Sequence, residues 1–374
     1  MTRKKPPFPE PCPLRRFLLA VACAVLSVSP AAAAGIGTQD LVILDNDFEG
    51  PATSNIDSLI PLLNNPHITL LGVTTVIGDD WENAESAHLR RFLEIARQTQ
   101  IPVYEGATLP LINSRPLMRL REEHFGTIPW KGAWGGLGSI EASHDTQPPL
   151  GPLPEGEPKL KAQPLPAALF MIQQVHAHPH QVTIIEAGPM TNLALAIRLD
   201  PDFAALARQL IFMGGYVGLG MEAATGNADN ASDFNLLFDP EAAHITLTAP
   251  WPAITSVSNV SNDVFMSKAD MEKLAASRHT PVTDYLAHYY APMPMWDETT
   301  TLLAADPSLI KKSVAVYMDV DLASGPHQGS VVLWSDANAP KKMGVRKVHI
   351  VQEIDRPRLL AAFADDARNA MGKN

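Results

Sequence analysis

The chain has 374 residues, a formal net charge of −11 at pH 7, 46% hydrophobic and 18% charged residues, and 33 prolines. That length permits one large α/β unit or two to three smaller domains, and the acidic balance, with no basic stripe, excludes nucleic acid as an expected partner. Both cysteines, Cys12 and Cys23, fall within the first 34 residues, which leaves the rest without a disulfide, a thiol nucleophile or a cysteine metal site.

In chain order, the first segment differs in kind from the rest. Arg3, Lys4, Lys5, Arg15 and Arg16 form a basic start, Phe17 to Val28 is apolar, and Pro30 to Ala34 are small residues. This is the pattern of a secretory signal peptide, with an apolar run too short for a comfortable membrane span. Residues 1–34 are therefore expected to be a leader and residues 35–374 a mature domain, periplasmic or secreted and without membrane attachment after cleavage. Setting aside the leader's five basic residues and its one acid, Glu10, leaves about −15 for the mature chain.

Thereafter short apolar runs alternate with helical patterns, which predicts an α/β fold with an open, mostly parallel sheet and helices on both faces. Leu41–Leu44 and Ile68–Val76 read as buried strands, with a helix predicted between them over Ile56–Leu63. An amphipathic helix is predicted over Asn83–Gln98, a short strand at Val103-Tyr104, a helix over Ala167–Val175 and a strand over Val182–Ala187. Thr191 reads as the N-cap of a helix reaching Leu199, and Leu210–Met213 as a strand stopped by Gly214-Gly215. Residues 111–165, rich in Gly, Pro and Trp, have little periodicity and read as a functional lid or a disordered insertion.

The first strand ends in Asp45-Asn46-Asp47. Ligands of open α/β sheets gather beyond the carboxyl ends of the strands, and two carboxylates there repel each other unless a proton or a cation intervenes. A hard cation with oxygen ligands is one resolution. A strand followed by Asp-x-Asp also opens haloacid-dehalogenase-like phosphatases, where the first Asp is a nucleophile. Phe48 and Glu49 do not suit that family, and its later Ser/Thr and Lys motifs have no counterpart between here and Ile77-Gly78-Asp79-Asp80.

The remaining strand ends carry a series. Thr74-Thr75-Val76, Pro102 to Ala107, Gly188-Pro189-Met190-Thr191-Asn192-Leu193-Ala194-Leu195-Ala196, Met213-Gly214-Gly215, Gly226-Asn227, Asp233-Phe234-Asn235, Asp239-Pro240-Glu241-Ala242-Ala243 and Trp296-Asp297 follow in order. In that order and spacing the chain closely resembles the inosine–uridine-type nucleoside hydrolases, over about Leu41 to Asp306. The resemblance implies a nucleoside-hydrolase-like fold and hydrolysis of the N-glycosidic bond of a small-molecule ribonucleoside, often by a homo-oligomer. It implies one Ca²⁺ held by Asp47, Asp57, Asp297 and the backbone carbonyl of Thr191, with Asp45 behind them. It further implies that Asp47 activates the attacking water, and that Asn227, Asp233 and Asn235 bind the ribose hydroxyls beside Met213. Asp79 stands where the family usually has a sugar-contacting Asn.

Two departures qualify the resemblance. The first motif is longer here, and aligning the following helix through Ser58-Leu59 puts Ile56 in place of one of two adjacent Asp residues. Asn55 is then the replacement for the lost sugar contact. The other alignment pairs Asp57 with the lost residue and Ser58 with the ligand, which weakens a cation site. In addition, Trp296 precedes Asp297 where well-known members have a His that protonates the leaving base. Tryptophan cannot supply that proton but can stack on a base. His288, His327, His124, Trp130 and Trp134 are the other base-side candidates, while His176, His178 and His180 read as solvated. Ile56 and Trp296 keep open a second expectation, a non-catalytic nucleoside- or sugar-binding protein on the same scaffold.

Overall fold

The computed structural model describes residues 40–217 and 234–372. The leader, Asn227 and Asp233 lie outside the described residues. Among the described residues, nine strands form one sheet in the order β3-β2-β1-β4-β5-β6-β9-β7-β8. They are β1 (Asp40–Asn46), β2 (Ile68–Thr75), β3 (Val103–Tyr104), β4 (Val182–Glu186), β5 (Gln209–Met213), β6 (Ile254–Val257), β7 (Ile310–Val320), β8 (Val331–Trp334) and β9 (Arg346–Ile354). From β3 through β6 to β9 neighbours run parallel, whereas β7 is antiparallel to both β9 and β8.

Alternation along β1 explains why it sits in the middle. Val42 and Leu44 enter one apolar core while Ile43 enters the other, because successive strand residues point to opposite faces. The first core is completed by Leu89, Phe92 and Leu93 of the helix Glu82–Ile95 and by Leu359 and Phe363 of the helix Arg356–Asn369. The second takes Phe170 and Met171 of the helix Ala167–Ala177 and Leu193 of the helix Thr191–Leu199. Helices thus cover both faces, as the near-continuous apolar strands require. The chain moves outward from β1 to β3 on one side and from β4 to β6 on the other, which makes the gap between β1 and β4 a topological switch point. No described helix is long and apolar enough to cross a membrane.

Three local expectations are corrected. The helix predicted over Ile56–Leu63 is a four-residue turn, Ser54–Asp57, followed by a separate 3-10 turn at Ile60–Leu62. Pro61 lacks the N–H that an uninterrupted helix needs there. Thr191 is the first residue of its helix rather than the cap, which is Met190, and the Thr191 hydroxyl donates to Asp239 Oδ2 at 2.7 Å. The segment 111–165 contains a helix, Arg115–Phe125, capped by Ser114. It also contributes Met118, Ile128, Trp134 and Ile140 to a small apolar core shared with Ile77, Trp81, Leu237 and Phe238, in which the ring of the fully buried Trp134 lies 4.5 Å from that of Phe238.

Candidate active site

The carboxyl ends of β1, β4 and β5 open into a cavity of about 320 Å³. Its walls have two characters. Asp47, Glu49, Ser54, Asn55, Asp79, Asn235 and Asp297 supply a polar floor, and Trp130, Met213, Tyr216, Phe234, Met293 and Trp296 supply an apolar, largely aromatic rim.

The floor is built around Asp47. Asn46, the last residue of β1, accepts from the Asp47 N–H through Oδ1 at 2.9 Å and donates from Nδ2 to Asp297 Oδ2 at 3.0 Å. One amide therefore joins the end of β1 to the first turn of the helix Trp296–Ala305 across 251 residues of sequence. Asp47 Oδ1 accepts from Asn55 Nδ2 at 3.0 Å, and Oδ2 accepts from the Asp79 N–H at 2.9 Å. Asn55 Nδ2 also lies 3.1 Å from Asp79 Oδ2, and Trp130 Nε1 donates to Asp79 Oδ1 at 2.5 Å. Gly78 is required by this crowding, since a Cβ there would stand 2.0 Å from Asp47 Oδ2.

Burial sets the electrostatics of the floor. Asp47 is pushed well above the usual carboxylate range, first by desolvation and then by the charges of Asp79 and Asp297. Desolvation raises Asp297 to about 8 and Asp79 to about 6. Glu49 reaches about 8 from burial and from the neighbouring Asp79 and Asp80 charges. Beneath them Asp45 is wholly buried, accepting from Thr74 Oγ1 at 2.6 Å and Asn192 Nδ2 at 2.9 Å. Its register beside Thr74 and Glu186 places it inside the sheet, so it supports the floor and cannot reach a substrate as a phosphatase nucleophile would.

Asp47, Asn55, Asp79, Met213, Asn235, Trp296 and Asp297 are brought together as the sequence suggested. Asn235 is held by bonds from Nδ2 to Ala187 O at 2.8 Å and Met213 Sδ at 3.4 Å. Asp57, Ser58 and Thr191 do not line the cavity. Residues two apart on a helix are turned about 200° from each other, so the turn that aims Asn55 at Asp47 turns Asp57 into the core. There both Asp57 oxygens are buried without a hydrogen-bond partner. Burial raises Asp57 and Glu298 well above the usual carboxylate range, and repulsion from Asp57 adds to the rise at Glu298. His124 lines a different cavity, His176 pairs with Asp200 at the surface, and neither His288 nor His327 reaches the active-site cavity.

Among the described residues, sequence reasoning missed Glu49, Ser54, Tyr216, Phe234 and Met293, whereas Trp130, one of its base-side candidates, does line the cavity. Tyr216 had a usable signal, since it follows the Gly214-Gly215 turn at the end of β5. Ser54 had none: its hydroxyl donates to Glu298 Oε2 at 2.5 Å and accepts from the Asp297 N–H at 2.9 Å, contacts made 243 and 244 residues away.

The floor suits a hard cation in its chemistry. Its donors are all oxygens, and the repulsion among Asp47, Asp79 and Asp297 is of the kind that a bound cation relieves. Of the shell that the resemblance implied, Asp47 and Asp297 line the cavity and Asp57 does not. Among the described residues, no three His, Cys, Asp or Glu side chains are grouped so as to hold a metal ion.

The profile of the inosine-uridine preferring nucleoside hydrolase family matches residues 42–361. A Schizosaccharomyces pombe protein of unassigned function is 31% identical over 82% of this chain and 79% of its own length. A probable uridine nucleosidase of Arabidopsis thaliana is 32% identical over 65% of this chain and 66% of its own. Among solved structures, a plant nucleoside hydrolase superposes with a TM-score of 0.68 at 24% identity, covering 88% of this chain and 99% of that one. The purine-preferring ribonucleoside hydrolase of Gardnerella vaginalis gives 0.68 at 18% identity, covering 88% and 98%. With a switch-point cavity floored by Asp47 and Asp297 and a family profile spanning most of its length, the chain belongs to the inosine-uridine preferring nucleoside hydrolases.

Proposed function

We propose that the chain hydrolyses the N-glycosidic bond of ribonucleosides to free base and ribose, as an exported enzyme released from its leader. The observation that carries this reading is the two-part cavity. A floor of acids and amides suits a polyhydroxylated ring, and an aromatic rim beside it suits a flat heterocycle.

In this reading the ribose lies on the floor, where Asn55, Asp79 and Asn235 present hydrogen-bonding groups to its hydroxyls. Asp47 lies beneath the sugar, locked by Asn55 and by the Asp79 N–H, and takes a proton from the attacking water as general base. The reaction passes through a state in which positive charge grows on the sugar ring, and the carboxylates of Asp47, Asp79 and Asp297 stabilise that charge more than they stabilise the neutral substrate. The aromatic rim excludes water from the base and fixes its plane.

Metal dependence is typical of the family, and calcium is the ion we propose here. Asp47 and Asp297 would hold it. When bound, the ion supplies positive charge that orients sugar hydroxyls and lowers the pKa of a water.

The test is incubation of residues 35–374 with purine and pyrimidine ribonucleosides, with Ca²⁺ and after chelation, assaying free ribose and free base. Release that chelation suppresses and Asp47→Asn abolishes is the expected result. Tight nucleoside binding with no release would instead support the second reading, a non-catalytic binder. The observation favouring that alternative is the Asn55 amide seated against Asp47.

A further inference from the structure

The rim carries a feature that nucleoside hydrolysis does not by itself require. Trp296 opens the helix Trp296–Ala305 and Tyr216 follows β5, yet both donate to the same atom. Trp296 Nε1 lies 2.8 Å and Tyr216 OH 2.9 Å from Oδ1 of Asn262. Asn262 stands just after the 3-10 turn Asn259–Ser261, on the loop leaving β6, and does not itself line the cavity. A carbonyl oxygen has two lone pairs, and these two donors take both. Trp296 packs against the small apolar cluster of Ala187, Met213 and Tyr216. Across the cavity the remaining indole N–H, that of Trp130, is given to Asp79. Among the described residues, each aromatic N–H or O–H on this rim is thus engaged by a protein acceptor, and what the rings offer a ligand is surface rather than a donor.

We propose that Asn262 is a positioning residue for the ring-binding end of the site, holding Trp296 and Tyr216 as one wall through its single amide oxygen. The proposal rests on the nucleoside reading for the identity of the ring. It makes three chemical commitments. The acceptor oxygen is the part of Asn262 that matters. Its loss loosens the wall without touching the floor. The effect falls alike on purines and pyrimidines, because the wall contacts ring faces, and stacking on a π-face is tolerant of base identity.

The experiment compares Asn262→Asp, which keeps an acceptor at this position, with Asn262→Leu, which does not. KM and kcat are measured for inosine and uridine, together with the inhibition constant of free ribose. The expected result is a KM about tenfold higher for both nucleosides in the Leu variant, a size typical of changes in apolar complementarity. The Asp variant stays close to wild type, and the ribose constant is unchanged in both. Equal losses in the Asp and Leu variants, an unchanged KM in the Leu variant, or a parallel loss of ribose binding would overturn the proposal. Should the Leu variant not fold, Tyr216→Phe removes one of the two bonds and keeps the ring, and an unchanged KM there counts against the proposal. If the wild-type protein releases no ribose, the hydrolase reading fails by itself. The Asn262 variants are then compared by quenching of tryptophan fluorescence with adenine and uracil, where an unweakened Leu variant refutes the wall.

Discussion

The two halves of the cavity are held in place by different physics. The floor around Asp47 is fixed by hydrogen bonds at the sheet's carboxyl edge: Asn55 Nδ2 and the Asp79 N–H each donate to one oxygen of the Asp47 carboxylate, and Asn46 Oδ1 accepts from the Asp47 backbone N–H. The rim consists of rings tied back at their polar edges, Trp296 and Tyr216 to Asn262 and Trp130 to Asp79. The floor is charged and desolvated, so small displacements there are costly. The rim is apolar and governed by contact area, so changes there are graded. Damage to the floor should therefore appear in kcat and damage to the rim in KM.

The largest effect is expected at Asp47. Asp47→Asn keeps the shape and removes the base, and kcat should fall about 10²–10⁴-fold with thermal stability maintained or raised. A loss confined to KM would assign Asp47 to binding alone. Next comes Gly78→Ala, whose added methyl would meet Asp47 Oδ2. Displacing a reacting group by about 1 Å costs on the order of 10²-fold, and a crystal structure of the variant should show the Asp47 carboxylate moved. Trp130→Phe should have a smaller effect. It removes one hydrogen bond to Asp79 and retains a ring, so kcat/KM should drop about two- to tenfold, matching roughly 1 kcal/mol for such a bond. A loss as large as that of Asp47→Asn would mean that Trp130 does more than hold Asp79 and shape the rim.

The smallest prediction concerns stability. Asp79 is raised to about 6, Glu82 to about 7, and Glu49 and Asp297 to about 8, each foremost by burial. These folded-state values lie above those of the unfolded chain, so the native state binds more protons between about pH 4 and pH 8. Stability is then highest at the acid end of this window and falls as pH rises through it. The Tm should decrease by several degrees from pH 5 to pH 8, and Asp297→Asn should flatten the slope. A Tm that rises over the same range would show that a cation or a different proton arrangement neutralises the floor.

Much of the floor, with Met213 of the rim, was legible in the sequence because these parts are local. Asp45-Asn46-Asp47 at a strand end, Met213 at another and Asn235 beside a helix start are short patterns whose placement follows from strand polarity. The strand and helix alternation likewise predicts a sheet with a switch point, since apolar runs of strand length buried on both faces admit few other arrangements. Asp57 was misplaced because sequence spacing does not reveal helical phase after an insertion. One residue of the turn Ser54–Asp57 faces the cavity and the residue two positions later must face away.

What the chain determined by itself was the parallel α/β sheet, the acids at its carboxyl edge and the family pattern they form. Tertiary structure alone decided that Asn55 rather than Asp57 meets Asp47, that Trp130 closes onto Asp79, and that Trp296 and Tyr216 share Asn262. The reason is range: strand-end residues are positioned by hydrogen bonding and apolar alternation over a few positions, whereas the rim depends on contacts between segments that only the folded core brings together.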